Sequence, residues 1–257
     1  MKNDLVLGDT ELFNTVYEET CRSVVGIMID GVKSGAGFVV HISPHLTVVA
    51  VPLSCTRGIG NKMINVSFFG GTTSDTNDVV QLNNGGLDLL FVGVLAGGWT
   101  QATLGQLGEG ESETVLTIVP LVSNKIHRQR TYTSYIISPR CSCVTTTGSI
   151  IEETSEIFSF TLPVGNMNVH NPGNRNSKWL SVDNFTLGAP VFNVQSQWVG
   201  FTVKRSTTSR DMKLGLRGET FQHSLNTWLA GRQWEDVIRP YLERNVEHEL
   251  AIVFDWY

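Results

Sequence analysis

Residues 23 to 51 read SVVGIMIDGVKSGAGFVVHISPHLTVVAV, three short runs of apolar and β-branched residues separated by turn-forming stretches. Further runs of the same kind follow, among them INVSFF, LDLLFVGV, VLTIVPL, YTSYIIS, IFSFTL, APVFNV and WVGFTV. Clusters such as GTTSDTND, NNGG, GEGESE and NPGN separate them. About a dozen strands divided in this way indicate an all-β sandwich or barrel rather than βαβ units.

Helical patterns flank this β-rich part of the chain. In residues 11–23 apolar side chains recur at helical spacing, which predicts a short leading helix. Large apolar residues recur at intervals of three and four in Phe221–Leu229 and in Trp234–Leu242. They predict a C-terminal helical segment that Gly231 divides and that Pro240 disturbs.

The composition excludes several classes of function. The chain has 257 residues, 41% hydrophobic and 17% charged, with a net charge of −5. It is long enough to bury a substantial core, and it lacks an apolar run of the roughly 18 residues that span a membrane. Basic residues are scattered except in Lys125–Arg130, so nucleic acid is not an expected partner. The N-terminal sequence resembles neither a secretory signal nor a transit peptide, which favours the cytosol or the nucleus.

Cysteine and histidine patterns predict no metal and no cofactor. The four cysteines, Cys21, Cys55, Cys141 and Cys143, are too few for a disulfide scaffold and are expected to be reduced thiols. Cys141 and Cys143 lack the second pair of ligands that a zinc site needs, and the histidines show no ligand spacing such as HExxH.

An ordered set of motifs resembles the HtrA/Deg branch of the trypsin-like serine proteases. SVVGIMI followed by GAGFVV resembles that family's first strands, LTVVAV its LTNAHV strand and GLDLLFV its DIALLKV strand. ATLGQLGEGESETVLTIVPL resembles its LG…G…V…IG segment, YTSYIIS its TVTAGIVS, and GAPVFN with WVGFTV its GGPLVN with VIGI. The likeness covers about Ser23 to Val203. It implies a double six-stranded β-barrel, here with a short N-terminal helix and a C-terminal helical extension.

The expected domain organisation follows from this resemblance. Residues 1–22 form the N-terminal helix and lead-in, residues 23–122 the first barrel, and residues 131–204 the second. SNKIHRQR, residues 123–130, is the one basic polar stretch between two strand blocks and is the expected interbarrel linker. Residues 205–257 are expected to be a helical segment with an apolar tail.

The resemblance also locates the catalytic positions, and all three are replaced. Ala50 stands where the general-base histidine belongs, and Gly86 where the orienting aspartate belongs, with Asp88 two positions later on the same strand face. FTLGAPVFN, residues 185–193, falls into the frame of GDSGGPV, so Leu187 replaces the nucleophilic serine. Neither alanine nor leucine can accept a proton or be activated as a nucleophile, and no acyl-enzyme is expected.

The oxyanion hole is degenerate in the same frame. Phe185 replaces a glycine whose backbone angles would cost a bulky side chain roughly 1–3 kcal/mol. The resemblance therefore implies a pseudoprotease that binds a protein or an extended peptide by strand addition. Phe185, Thr186, Leu187 and Gly188, with Trp179 in the preceding loop, form the expected binding groove.

Two alternatives remain open. The first is a structural subunit whose groove is filled by its own chain, including the apolar tail Leu250–Tyr257. The second is a residual serine-type hydrolase with Ser177 or Ser181 as a displaced nucleophile and His170 as its base. NPGN is followed there by RNSKW rather than SGGP, so the tight turn that presents a nucleophile is missing.

Three other residues invite a catalytic interpretation. His41 and His45 flank the strand that should carry the base, but they precede the part of the strand that reaches the cleft. Cys55 follows the same strand and is expected to be a buried thiol rather than a nucleophile.

Overall fold

The computed structural model describes residues 7–56, 62–82, 87–93, 97–109, 113–123, 126–140, 157–161, 188–205 and 212–243. Two antiparallel sheets form the body of this part of the chain. Their architecture is the all-β double barrel that the motif order predicts.

The first sheet has seven strands in the order β5-β4-β1-β2-β3-β7-β6. The strands are β1 Val24–Ile29, β2 Val32–Ile42, β3 Thr47–Pro52, β4 Ile64–Ser67, β5 Thr73–Thr76, β6 Val79–Gln81 and β7 Leu87–Val92. Alternate side chains such as Val25, Ile27, Val49 and Leu90 point inward and pack together with Trp99. The sheet curls back on itself, because the hydroxyl of Thr76 on β5 donates to the carbonyl of β7 residue 91 at 2.6 Å.

β5 and β6 bring the first sheet to seven strands rather than the six predicted. β5 lies within GTTSDTND, a stretch whose composition predicts a turn. It pairs through its backbone with β4, for example Asn65 with Asp75, and those two side chains share a 2.9 Å hydrogen bond. An edge strand needs only backbone pairing, so polar residues can form it.

The second sheet is a closed six-stranded barrel in the order β10-β13-β12-β11-β8-β9. Its strands are β8 Thr114–Ser123, β9 Ile126–Ser138, β10 Ile157–Thr161, β11 Pro190–Asn193, β12 Trp198–Arg205 and β13 Met212–Arg217. Its apolar interior includes Val115, Ile136, Phe158, Phe160 and Val191.

The strand pairing corrects the expected domain boundaries. Residues 123–130 are not the interbarrel linker, because Ser123 pairs with Ile126 in the β8–β9 hairpin. β8 belongs to the second barrel, and the chain crosses between the barrels through residues 93–113. The second barrel also continues past residue 204 to include β13. Strands that are adjacent in sequence commonly pair as a hairpin, so a basic polar stretch between them need not be a linker between domains.

Four helices surround the barrels in the described chain. α1 is Leu7–Thr20, followed by a 3-10 turn at Cys21–Ser23; α2 is Leu53–Thr56; α3 is Gly218–Leu229; and residues 234–243 form α4. None of them is long and apolar enough to cross a membrane.

The predicted helices are confirmed with two differences. α1 buries Val16 but leaves Leu12 41% exposed. α3 ends at Ala230 and Gly231, which both have positive φ, so the predicted break is present. α4 continues across Pro240, which was expected to disturb it. Stacking of the neighbouring Tyr241 on Phe91 at 4.0 Å contributes to holding this helix against the first barrel.

A large apolar core lies between the two barrels and beneath the helices. Phe38 of β2 stacks on Trp198 of β12 at 4.3 Å, and Phe221 of α3 meets the edge of Trp198 at 5.5 Å. Aromatic rings bury large apolar areas and prefer these stacked and edge-on geometries. This core packs β2 of the first barrel against β12 of the second.

Candidate functional site

Gly188 begins the described part of the loop that enters β11, and it rests on the end of β3. Its φ is +75°, and a Cβ atom there would overlap the Pro52 ring and lie 2.7 Å from the Ala36 carbonyl oxygen. The Gly188 amide donates to the carbonyl of Thr202 at 2.7 Å. Glycine is required because both the backbone angle and the space exclude a side chain.

The next residue, Ala189, is held by the same partner. Its amide donates to the Thr202 hydroxyl at 3.1 Å, and the Thr202 amide donates to the Ala189 carbonyl at 3.0 Å. Ala189 is buried with Ala36 and Val119 where the two barrels meet. The turn of GAPVFN is therefore fixed between the barrels, as its resemblance to GGPLVN implies.

Ala50 lies in the middle of β3 and is fully buried. It pairs with Phe38 on β2 and Leu89 on β7, and its side chain belongs to the interbarrel core. Pro52, two residues further along, is the β3 residue that meets Gly188. The position that the resemblance assigns to the base is thus an apolar core position, and the strand end beside Gly188 carries a proline.

Asp88 is a fully buried carboxylate on β7. It pairs in register with Val51 on β3, and its Oδ2 accepts a short hydrogen bond from the hydroxyl of Thr56. The Thr56 hydroxyl also lies 3.1 Å from the carbonyl oxygen of Leu53. This contact holds α2 over the end of the first barrel.

Sequence reasoning identified Asp88 but missed its partner Thr56. The available signal was an aspartate inside the apolar strand LDLLFV, since a buried carboxylate requires polar partners. Its partner is a hydroxyl on a short helix four residues beyond β3, and no periodic pattern marks such a residue.

The described histidine side chains lie away from the contact between Gly188 and Pro52. His41 lies on β2 and pairs with Val48, which is four residues along β3 from Pro52, or about 13 Å at the usual rise of a strand. His45 lies in the turn before β3. His41 stacks on Trp234 at 4.8 Å, and burial lowers its pKa although Glu235 opposes the shift. His223 lies on α3.

The remaining predicted site residues lie outside the described residues. These are Gly86, Trp179, Phe185, Thr186 and Leu187, together with the alternative nucleophiles Ser177 and Ser181 and the alternative base His170. Cys55 lies in α2, but its side chain is also outside the description. Within the described ranges, no group of three or more His, Cys, Asp or Glu side chains could hold a metal ion.

Comparison with known proteins adds evidence on the fold. No protein-family model and no curated protein sequence matches this chain. An inactive form of mutated Rv3671c from M. tuberculosis H37Rv is similar, with a TM-score of 0.60, 15% identity, and coverage of 87% of this chain and 95% of that one. Deg5 has a TM-score of 0.59 and 13% identity, covering 85% of this chain and 94% of its own.

The active form of the Rv3671c protease is similar as well, with a TM-score of 0.58, 15% identity, and coverage of 84% of this chain and 85% of that one. At such low identity these likenesses show the fold alone. The fold is the trypsin-like double β-barrel, as the ordered motifs predict.

Proposed function

We propose that this chain is a catalytically inactive relative of the trypsin-like proteases, and that its interbarrel groove binds an extended segment of another protein. The observation that carries the proposal is the contact of Gly188 with Pro52. It retains the frame of a protease's nucleophile loop, while the neighbouring strand offers only apolar side chains, Ala50 and Pro52.

The chemistry of acyl transfer supports the first half of the proposal. It needs a nucleophile, a base that takes its proton, and two amides aimed at the developing oxyanion. Leu187 occupies the nucleophile position in the sequence. The amides of Gly188 and Ala189, which follow that position, both donate to Thr202 and so fix the loop onto the second barrel.

The end of β12 beyond Thr202 supports the second half, because among the described strands it is paired on one side only. β11 pairs with β12 from Trp198 to Phe201, and the Gly188 amide extends the contact to Thr202. Beyond that point Lys204 and Arg205 pair with β13, and no described strand pairs with their other side. An extended peptide can add to such an edge through its main chain, with Gly188 beside it.

The test combines a binding measurement with a cleavage measurement. Peptides selected from a random library on the immobilised protein are bound to the chain, and amide hydrogen exchange is followed by mass spectrometry. We expect slower exchange within residues 202–205 and a peptide of unchanged mass after prolonged incubation. A peptide that is cut, or protection confined to other surfaces, would contradict the proposal.

Restoring a serine at position 187 tests whether the missing nucleophile alone would account for the proposed inactivity. We expect Leu187→Ser to remain unreactive toward a fluorophosphonate probe and toward casein, because the described groups beside Gly188 include no base to activate it. Trypsin provides the positive control. Turnover above background, abolished by Leu187→Ala, would show that a base exists and that the inactive assignment is wrong.

The two alternative functions depend on other parts of the chain. No contact in the described ranges favours a self-filled groove or a displaced nucleophile. Solution mass before and after removal of residues 250–257 tests the first, because an assembly unchanged by truncation rules out a role for the tail. Turnover of unfolded protein substrates tests the second.

A further inference from the structure

A cavity of about 830 Å³ lies beside the second barrel and shares no residue with the contact between Gly188 and Pro52. Its walls are residues 106–109, Arg140 after β9, Arg217 at the end of β13, and the first two turns of α3. Cavities of several hundred cubic ångströms accommodate small organic molecules. No motif in the sequence indicates it.

Arg217 forms one wall of the cavity and is fully engaged. Its side chain is 5% exposed, and it binds both carboxylate oxygens of Glu219, at 2.7 and 2.9 Å. It also donates to the carbonyls of Leu107 and Pro139, each at 3.1 Å. The hydrogen bond to Glu219 raises the Arg217 pKa further. Arg217 therefore holds the wall together and has little capacity left for a ligand.

Arg140 differs, because it is exposed and only partly engaged. Its Nη2 donates to Glu109 at 2.8 Å, and its side chain is 59% exposed. A guanidinium carries five N–H donors in a planar fork that matches carboxylate and phosphate groups. Arg140 can thus bind an anionic ligand in the cavity, and Glu109 competes with such a ligand for the Arg140 guanidinium.

The first turns of α3 supply neutral donors to the same cavity. Arg217 is the N-cap residue and gives no side-chain cap, so the first-turn amides and the positive end of the helix dipole are available. Ser224 lines the cavity, and its hydroxyl makes no hydrogen bond to any side chain or carbonyl that the structure describes. Although the residue is only 7% exposed, its oxygen stays accessible from the cavity, so it can donate to a ligand group in place of water.

We propose that this cavity binds a small organic anion through a carboxylate or phosphate group. Arg140 provides the charged contact, and the Ser224 hydroxyl, with Thr220 and the α3 amides beside it, provides neutral donors. The two carboxylates, Glu109 and Glu219, are both paired with arginines. Donors therefore outnumber free acceptors, which favours an anion over a cation.

The test is calorimetric titration of the intact chain at constant pH and ionic strength, with citrate and pyrophosphate as separate probes. We expect saturable one-to-one binding, and the stronger probe distinguishes a carboxylate site from a phosphate site. Arg140→Gln should weaken binding about tenfold or more, and Ser224→Ala about three- to tenfold. Glu109→Gln should strengthen binding several-fold, because it frees Arg140 and removes a negative charge.

The matched control is Arg239→Gln on α4. Arg239 is 64% exposed and paired with Asp236 at 3.1 Å, so the substitution removes the same charge from a similar ion pair. Its expected effect on binding is less than about twofold. Three results would overturn the proposal: binding of neither probe, equal losses in the Arg140 and Arg239 variants, or weaker binding after Glu109→Gln.

Discussion

Two contacts of the second barrel illustrate opposite ways of fixing a chain. Gly188 meets Pro52 and Ala36 of the first barrel with no space for a side chain. Arg217 instead joins Leu107, Pro139 and Glu219 through one long charged side chain. The first contact should fail when an atom is added, and the second when charge and donors are removed. The proposed binding surfaces lie beside these two contacts, at the end of β12 and at Arg140.

The largest effect is expected at Arg217. Arg217→Met keeps the length of the side chain but leaves two backbone carbonyls without their donor and Glu219 without its counterion. Breaking a buried ion pair on one side costs about 3–5 kcal/mol, and Glu219 is 33% exposed, so we expect a loss of about 3 kcal/mol in the free energy of unfolding. Urea denaturation followed by circular dichroism measures it.

The control for this prediction is Arg232→Met. Arg232 also donates to two backbone carbonyls, those of Trp228 and Leu229, but it does so at the exposed end of α3. Its loss should cost less than about 1 kcal/mol. Equal losses for both arginines would show that burial and the ion pair add nothing to the Arg217 contact.

The next effect is expected at Gly188. Gly188→Ala adds a Cβ that overlaps Pro52 and must also adopt a positive φ, so we expect a loss of about 2–3 kcal/mol. Gly31 provides a matched control, since its φ is +74° and a Cβ there meets nothing within 4 Å. Gly31→Ala should cost only the backbone strain, about 1 kcal/mol.

A double-mutant cycle assigns the difference to its cause. Pro52→Ala removes the ring atoms that the new Cβ meets, so it should recover part of the loss in the Gly188→Ala protein. Additive effects of the two substitutions would show that the Pro52 ring is not the cause, which leaves the Ala36 carbonyl and the backbone angle.

The strands and turns that follow a regular local pattern of residues could be predicted from the sequence. Runs such as LTVVAV and YTSYIIS predict strands because alternate residues enter a core, and the glycine and proline of GAPVFN mark a turn that only small or rigid residues can form. The order of these motifs was sufficient for the double barrel. It also predicted that Gly188 lies in the groove between the two barrels.

Features held by single long-range contacts could not be predicted in this way. β5 is polar and exists because its backbone pairs with β4, and β13 follows a polar stretch that resembles a loop. Arg217 meets Leu107 across 110 positions of sequence, and Thr56 meets Asp88 across 32. Such partners come together only in the folded structure, so no local sequence pattern predicts them. The cavity beside α3 depends on contacts of this kind.

The smallest effect is expected at His41. Its ring packs against an apolar neighbour when it is neutral and carries a charge when it is protonated, so its contribution depends on pH. Its ring stacks on Trp234 of α4, and burial lowers its pKa, so folding favours the neutral ring. A histidine with a depressed folded pKa stabilises the protein above its unfolded pKa of about 6.5, and that contribution is lost as the pH falls through the folded value. Stability should therefore decline below about pH 6.5.

The variant His41→Gln tests this expectation. Its stability, measured as the urea midpoint between pH 7.5 and pH 5, should change less with pH than that of the unmodified protein, because histidine titrates in this range. A steeper decline in the His41 variant would mean that Glu235 outweighs burial and that the stacked ring is held in its charged form.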